Sequence, residues 1–160
     1  MYEHVMVPLD GSELAECVLP HLEAMAKSGH ISRVTLVSIV EPIHIHRGLE
    51  FRLPSDEKTR LEQMSMEKSR DYLNRIAKRI DCGGATVETE VLHGHIAKEL
   101  GKYVETNDID LVMVSTHGQP DTDRGIWGRV RRWRWWNVIE HLLRSCGVPV
   151  LIVRPSDVRW

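Results

Sequence analysis

Short apolar runs alternate with amphipathic segments along the whole chain. Five runs rich in valine, leucine and isoleucine have the length of β-strands, and the first, HVMVPLD, leads into a glycine that favours a turn. Between them lie four stretches whose apolar residues recur at helical spacing. The pattern predicts strands at about 4–10, 33–42, 86–92, 108–118 and 147–155, and helices after Ser12 and at 55–80, 96–106 and 137–145.

Residues that typically start, bend or end helices refine these predictions. We expect Ser12 to cap the first helix, Pro20 to kink it and Gly29 to end it. The long second helix carries charged residues on one side, which is typical of a solvated surface. Its other side is apolar and is predicted to face the core through Leu61, Met64, Leu73, Ile76, Ala77 and Ile80.

The strict order of strand and helix is typical of a parallel sheet covered by helices. The run at 33–42 is apolar almost throughout, as expected for burial on both faces, whereas the run at 86–92 alternates with charges and is predicted to lie nearer an edge. We therefore expect an α/β fold, with a single five-stranded parallel sheet flanked by helices on both faces. Ligands of such sheets bind beyond the carboxyl ends of the strands, where the strand order reverses. Those ends carry Asp10, Val40–Glu41, Leu92–His93 and Ser115–Gly118.

Composition narrows the class of protein. The chain has 160 residues, of which 42% are hydrophobic and 28% charged, and its formal net charge is −2. This size and balance predict one globular domain, and the charge argues against a general nucleic-acid binder. No apolar run reaches the length of a membrane span, and the first residues do not resemble a signal peptide. The cysteines Cys17, Cys82 and Cys146 are odd in number and far apart, which favours a reduced, cytoplasmic protein. Cys17 and Cys146 fall in apolar helical patterns, where a thiol is usually a small core residue.

An unusual cluster of tryptophan and arginine, GIWGRVRRWRWWN, occupies residues 125–137 and holds four of the five tryptophans. Its indoles could pack on a neighbouring helix or subunit. This is the simplest explanation, because four tryptophans exposed to solvent would form an unusual apolar patch. It could also form a lid whose arginines grip an anion, stack on single-stranded nucleic acid, or lie on a membrane surface. The arginines available to an anion are Arg124, Arg129, Arg131, Arg132 and Arg134.

Metal binding and catalysis have little support in the sequence. The pairs His44/His46 and His93/His95 could each share an ion in extended backbone, but no third ligand has a metal-site spacing. We therefore interpret them as loop histidines and predict no metal site from them. The chain contains no Walker-type phosphate loop, no G-x-S-x-G elbow and no Cys–His signature, so we expect a binding module and no enzyme.

Five segments, in this order, resemble the universal stress protein family: VMVPLDGSELAECVLPHLEAMA, VTLVSIVEP, VLHGHIAKEL, DLVMVSTHG and VIEHLLRSCGVPVLIVRP. The resemblance covers nearly the whole chain. It implies one family domain over residues 1–160, with a fold of the flavodoxin-like or adenine-nucleotide α-hydrolase-like type. It also implies a homodimer that pairs through its last strand, since an open apolar edge strand invites such pairing.

The resemblance further implies a site for ATP or another adenine nucleotide, with no metal beyond the magnesium that accompanies such a nucleotide. Family members that bind ATP have a loop that reads Gly, two residues, Gly, nine residues, Gly and then Ser or Thr, because glycines and a helix N-terminus admit phosphate to the backbone. In one register Ser115 replaces the first glycine, Gly118 and Gly128 keep the spacing, and Arg129 replaces the final Ser or Thr. In the second register, which we favour for the helix start, the final pair falls at Trp136-Asn137 and the loop at about 119–136 is enlarged by eight residues.

Carried over to this sequence, the implied nucleotide contacts fall into two groups. Pro8 would contact the nucleotide, Asp10 would contact its ribose or adenine end, and the backbone of Val40 would read the adenine edge. The loop after the fourth strand would hold ribose and phosphates through Ser115, His117, Gly118, Gly128, Arg129 and Asn137.

These observations favour a dimeric, cytoplasmic regulatory or stress-response protein that binds an adenine nucleotide or a related small anion. One alternative is a nucleotide-free interaction module whose Trp/Arg loop docks a protein partner. Another is an enzyme that acts on a bound nucleotide. We expect neither a nucleic-acid nor a membrane partner.

Overall fold

The computed structural model describes residues 2–42, 54–116 and 137–155, and strands alternate with helices through these ranges as the sequence predicts. The strands are β1 His4–Pro8, β2 Arg33–Val40, β3 Thr86–His93, β4 Leu111–Ser115 and β5 Val150–Val153. The helices are a short 3-10 helix at Ala15–Val18 that continues into α1 Leu19–Lys27, then α2 Ser55–Arg79, α3 Ile96–Thr106 and α4 at 137–145.

The five strands form a single sheet in the order β3-β2-β1-β4-β5, and every neighbouring pair is parallel. The predicted fold class is therefore confirmed. Strand β3 lies at one edge, and its side chains alternate between exposed and half-buried, as the alternating sequence predicts. Strand β5 forms the opposite edge.

Two hydrophobic clusters cover the two faces of the sheet. One joins β1 and β2 to α1 and α2, with Leu22 and Leu73 among its buried residues. The other joins β1, β2 and β4 to α3 and α4, with Leu100 and Leu142 among its buried residues. This division follows from the strand order: the chain moves outward from β1 to β3 and then crosses back to β4, so right-handed crossovers place the later helices on the opposite face.

The first helix begins and ends near the predicted residues. The Ser12 hydroxyl accepts a hydrogen bond from the Ala15 N–H (3.1 Å) at the start of the 3-10 helix. Pro20 lies in the first turn of α1, where its missing N–H costs nothing, so the expected kink is a junction between the two helix types. Gly29 follows the last residues of the helix with φ +83°, and its N–H donates to the Ala26 carbonyl (3.0 Å).

The predicted apolar side of α2 is only partly correct. Leu73 and Ile76 are buried, but Leu61 and Met64 are 39% and 45% exposed. The reason is length: a 25-residue helix spans about 37 Å, whereas the eight-residue β3 spans only about 26 Å. The sheet can therefore bury only part of the helix.

Three further features bear on the class of protein. Within residues 2–42, 54–116 and 137–155, no helix is long and apolar enough to cross a membrane, and no group of three or more potential metal ligands occurs. All three cysteines are free; Cys82 is buried, whereas Cys17 and Cys146 are half-buried against the two clusters. Burial raises the pKa of the Cys82 and Cys146 thiols, which makes them poor nucleophiles at neutral pH.

Candidate functional site

The carboxyl ends of β1, β2 and β4 lie at the same edge of the sheet because neighbouring strands are parallel. The strand order reverses between β1 and β4, since β1 is followed by β2 on one side and β3 is followed by β4 on the other. Pro8, predicted to contact ligand, is buried at the last position of β1 and pairs with Val37. The chain therefore leaves the sheet at the crevice where α/β sheets bind ligands.

Asp10 lies just beyond β1 in a tight turn. One carboxylate oxygen, Oδ1, accepts hydrogen bonds from both the backbone N–H of Ser12 (2.9 Å) and its hydroxyl (2.6 Å). Gly11, between them, has φ +85°, a conformation that favours glycine. This arrangement is an Asx turn, and it holds a half-buried carboxylate at the tip of β1.

Ser115 ends β4 and is only 1% exposed. Its hydroxyl donates to the carbonyl of Leu14 (3.1 Å) and accepts from the Cys17 thiol (3.4 Å). The side chain thus ties the tip of β4 to the chain segment that follows β1. The sequence assigned Ser115 to ligand contact, but its burial suits a clamp between the two strand tips that flank the crevice.

The backbone N–H and C=O groups at the end of β2 point to defined sides of the strand. The Val40 carbonyl accepts a hydrogen bond from the Gly94 N–H (3.1 Å), on the β3 side, whereas the Val37 carbonyl accepts from the Leu9 N–H (2.8 Å), on the β1 side. Backbone polar groups of successive strand residues point to opposite sides, so those of Ile39 face the β1 side, like those of Val37. Pairing with β1 has ended at this level, because the last paired positions are Pro8 and Val37. Ile39, which sequence reasoning missed, is therefore the residue whose backbone faces the crevice.

A hydrogen-bonded group on the α1/α2 side supports the base of this turn. Glu16 accepts hydrogen bonds from the Tyr72 hydroxyl (3.2 Å) and from the Arg79 guanidinium (2.5 Å). Burial, reinforced by the carboxylate of Glu16 and by that of Asp10, raises the pKa of Tyr72 well above its usual value. Tyr72 therefore remains a protonated donor at neutral pH, and α2 stays linked to the helix that follows the Asp10 turn.

The far rim of the crevice is formed by α2 and the end of β3. His93 Nε2 lies 3.3 Å from Glu62 Oε2, and Lys58 Nζ lies 4.0 Å from Glu62 Oε1. His93 also pairs with Val40 in the sheet. Glu62 therefore links the overhanging turns of α2 to the tips of β2 and β3. The histidine at this position has a carboxylate partner and needs no metal to explain it.

Of the remaining predicted site residues, one lies within the described ranges and the others lie outside them. Asn137 is half-buried and is the first described residue of α4, and its predicted role stays a prediction. His117, Gly118, Gly128 and Arg129 lie outside the described residues, as do the Trp/Arg segment at 117–136 and the His44/His46 pair. The structure thus brings Pro8, Asp10, Val40 and Ser115 to one edge of the sheet.

With this geometry in place, comparisons with known proteins identify the class. The model of the universal stress protein family matches residues 1–154. The chain therefore belongs to the universal stress protein family, as the five sequence segments predict. A curated relative, universal stress protein MJ0577 of Methanocaldococcus jannaschii, is 23% identical and is aligned over 98% of each chain.

Solved structures agree with this fold. The structure of MJ0577 matches with a TM-score of 0.74 at 21% identity over 99% of each chain. A family protein from Arabidopsis thaliana, solved with AMP bound, matches with a TM-score of 0.58 at 14% identity over 97% of each chain. A universal stress protein from Archaeoglobus fulgidus, solved with dAMP, matches with a TM-score of 0.54 at 16% identity over 94% of this chain and 97% of the other.

Proposed function

We propose that this protein binds an adenine nucleotide in the crevice at the tips of β1, β2 and β4 and acts as a stress-response or regulatory protein. The observation that carries the proposal is the Asp10 turn: a carboxylate held by Ser12 at the strand end where the strand order reverses. The family and the AMP and dAMP complexes of its structural neighbours support the ligand class.

The charges near the crevice support one orientation of the nucleotide. The described tips of β1 and β2 carry Asp10 and Glu41, whose carboxylates accept hydrogen bonds from ribose hydroxyls or an amino group and repel phosphate. The nucleoside therefore lies at β1 and β2, and the phosphates lie toward the segment at 117–136. That segment supplies arginines, including Arg129, whose planar forks suit phosphate oxygens.

The base is read by Ile39 in this proposal, in place of Val40. The Val40 carbonyl is already hydrogen-bonded to Gly94, whereas the backbone of Ile39 faces the crevice side of β2. Titration with AMP, followed by amide chemical shifts, should move the Ile39 resonance more than that of Val40. Purine riboside monophosphate, which lacks the 6-amino group, should bind several-fold more weakly than AMP.

Calorimetric titration of the full chain with ATP, ADP, AMP and cyclic AMP tests the ligand class. We expect Asp10→Ala to weaken binding by about tenfold or more, since it removes a charge-assisted hydrogen bond. Asp71→Ala, which removes an exposed carboxylate from α2, is the matched control and should bind as the unchanged protein does. If no nucleotide binds the unchanged protein, the interaction-module alternative replaces this proposal.

The role as a binding protein has its own test. Phosphate release from ATP by the unchanged protein should not exceed that of Asp10→Asn. Release well above that control would favour the enzyme alternative. The domain is proposed to span residues 1–160, with the loop at about 119–136 as one wall of the crevice, and the cytoplasmic location inferred from the cysteines stays a prediction.

We also propose a homodimer that pairs through β5. Among the described residues this strand forms an edge of the sheet, and its Leu151 is 39% exposed. Leu151→Arg should convert the dimer to a monomer in light scattering coupled to gel filtration. Leu61→Arg is the matched control, because Leu61 is equally exposed, at 39%, but lies on α2. A mass that is unchanged in Leu151→Arg would rule out this interface.

A further inference from the structure

We propose that Ser12 is a positioning residue, which fixes the direction of the Asp10 carboxylate before the ligand arrives. The inference rests on the proposed nucleotide function, because the carboxylate it orients is the proposed ligand contact. It adds a residue that neither the sequence pattern nor the family resemblance assigned to the site.

The hydrogen bonds around Ser12 allow its hydroxyl proton to point in only one direction. The Ala15 N–H, which can only donate, uses a lone pair of Ser12 Oγ (3.1 Å). The single hydroxyl proton must therefore point to Asp10 Oδ1, which lies 2.6 Å away and is an acceptor when ionised. The Ser12 N–H adds a second bond to the same oxygen (2.9 Å).

Burial separates the role of Ser12 from that of Asp10. Ser12 is 5% exposed, and its single hydroxyl proton and one of its two acceptor lone pairs are already used within the turn. Asp10, in contrast, is half-buried at the crevice. Ser12 therefore acts on a ligand only through Asp10, by removing the rotational freedom that an aspartate on a turn would otherwise lose on binding.

A double-mutant cycle tests this coupling. The dissociation constant for AMP is measured by calorimetry for the unchanged protein, Ser12→Ala, Asp10→Ala and the double variant. We expect Ser12→Ala alone to weaken binding by about five- to tenfold, as for the loss of one charge-assisted hydrogen bond. It should have no further effect when Asp10 is already alanine. An equal effect in both backgrounds would overturn the inference, because Ser12 would then act independently of Asp10.

Two further variants separate positioning from helix capping. Ser12→Asp keeps an acceptor for the Ala15 N–H, but its carboxylate cannot donate to Asp10. It should fold and yet bind AMP at least as weakly as Ser12→Ala. Ser12→Thr keeps the hydroxyl and should restore most of the affinity. Wild-type affinity in Ser12→Asp would show that only the cap matters and would overturn the inference.

A measurement without ligand distinguishes failure of this inference from failure of the proposed function. Proton couplings between Hα and Hβ of Asp10 report whether its side chain holds one χ1 rotamer. We expect one rotamer in the unchanged protein and averaged couplings in Ser12→Asp. If AMP does not bind at all, the proposed function fails while this arm still decides the role of Ser12. A single, unchanged rotamer in Ser12→Asp overturns the inference whether or not AMP binds.

Discussion

An aspartate lies near each end of β1, and both use one carboxylate oxygen to accept two hydrogen bonds. At the amino end, Asp110 Oδ2 accepts from the backbone N–H groups of Glu3 (3.0 Å) and His4 (2.8 Å). At the carboxyl end, Asp10 Oδ1 accepts from the N–H and the hydroxyl of Ser12. The chemistry is the same, but the first pair of bonds joins residues more than 100 positions apart, whereas the second joins residues two positions apart.

This difference indicates separate roles for the two carboxylates. Bonds between distant segments form only when the whole sheet is assembled, so Asp110 contributes to the free energy of unfolding. Bonds within a turn fix local geometry and join no distant segments, so we expect Asp10 to matter more for ligand affinity than for stability. Loss of stability should therefore follow changes at the amino end, and loss of ligand affinity should follow changes at the carboxyl end.

The largest expected effect on stability comes from Asp110→Ala. It removes the acceptor of two charge-assisted hydrogen bonds that join β1 to the start of β4, and should lower the free energy of unfolding by about 2–3 kcal/mol in urea titrations. Affinity for AMP should stay within about twofold. Glu105→Ala, which removes an exposed carboxylate from α3, is the control and should leave stability nearly unchanged. A stable Asp110→Ala would contradict the comparison.

Ser115→Ala should have a smaller effect on stability than Asp110→Ala, but it should also lower the affinity for AMP. It leaves the Leu14 carbonyl without its buried donor, which costs about 1–2 kcal/mol of stability, and it frees the segment after β1 from the tip of β4. We therefore expect AMP to bind a few-fold more weakly. Ser65→Ala, whose hydroxyl bonds only within α2, is the control. If stability falls while affinity is unchanged, Ser115 belongs with the structural residues of the amino end.

Gly11→Ala tests the turn itself. Gly11 has φ +85°, and apart from its two chain neighbours no described residue lies within 4 Å of an added Cβ, so the substitution introduces backbone strain of about 1 kcal/mol. Thermal unfolding should show this loss, and AMP affinity should fall because the Asp10 turn shifts. Gly11→Asn should lose less, since asparagine adopts positive φ more readily. Equal losses in both variants would mean that strain at this position is not the cause.

The smallest expected effect is a pH dependence at the amino end. His4 is 7% exposed; its Nε2 lies 2.8 Å from the Thr35 hydroxyl, while its buried Nδ1 has no hydrogen-bond partner among the described residues. Burial, helped by the positive charge of Arg33 and opposed by Glu88, by the backbone of Asn107 and by Asp110, lowers the pKa of His4 below its ordinary value of 6.5.

The direction in which stability changes with pH follows from this lowered pKa. The unfolded chain binds the proton more tightly, so the stability due to neutral His4 is complete above about pH 6.5 and is lost as the pH falls below that value. Urea titrations at pH 7.5 and 5.5 should show the loss. In His4→Gln the same comparison should show a smaller dependence on pH, and an unchanged slope would assign the acid sensitivity to another group.

The fold was largely predictable because its signal is periodic. All five strands and four helices lie at the predicted places, and the half-exposed edge strand was recognised from the alternation of Val87, Thr89 and Val91 with charges. The fourth strand is shorter than predicted, Leu111–Ser115 within 108–118, since apolar flanks do not reveal where pairing stops. Leu61 and Met64 were misplaced because periodicity does not report how far a helix extends past the sheet.

The site was less predictable because it depends on register. Asp10 and Ser115 could be placed at strand ends, but the buried hydroxyl of Ser115 and its bond to Leu14 join residues that are 101 positions apart. The choice between Val40 and Ile39 requires the side of β2 that faces β1, which only the pairing of Pro8 with Val37 defines. The predicted roles of His117, Gly118, Gly128, Arg129 and Asn137 stay predictions.

The length of α2 has a consequence for how the molecule exchanges its amide hydrogens. The last turns of the helix are anchored on the sheet by the buried Leu73 and Ile76, whereas the side chains of Leu61 and Met64 in its earlier turns are 39% and 45% exposed. A single continuous helix should therefore show a gradient of protection against deuterium, slow at one end and fast at the other. Occupancy of the neighbouring crevice should be visible as slower exchange at the fast end, near the Glu62–His93 contact.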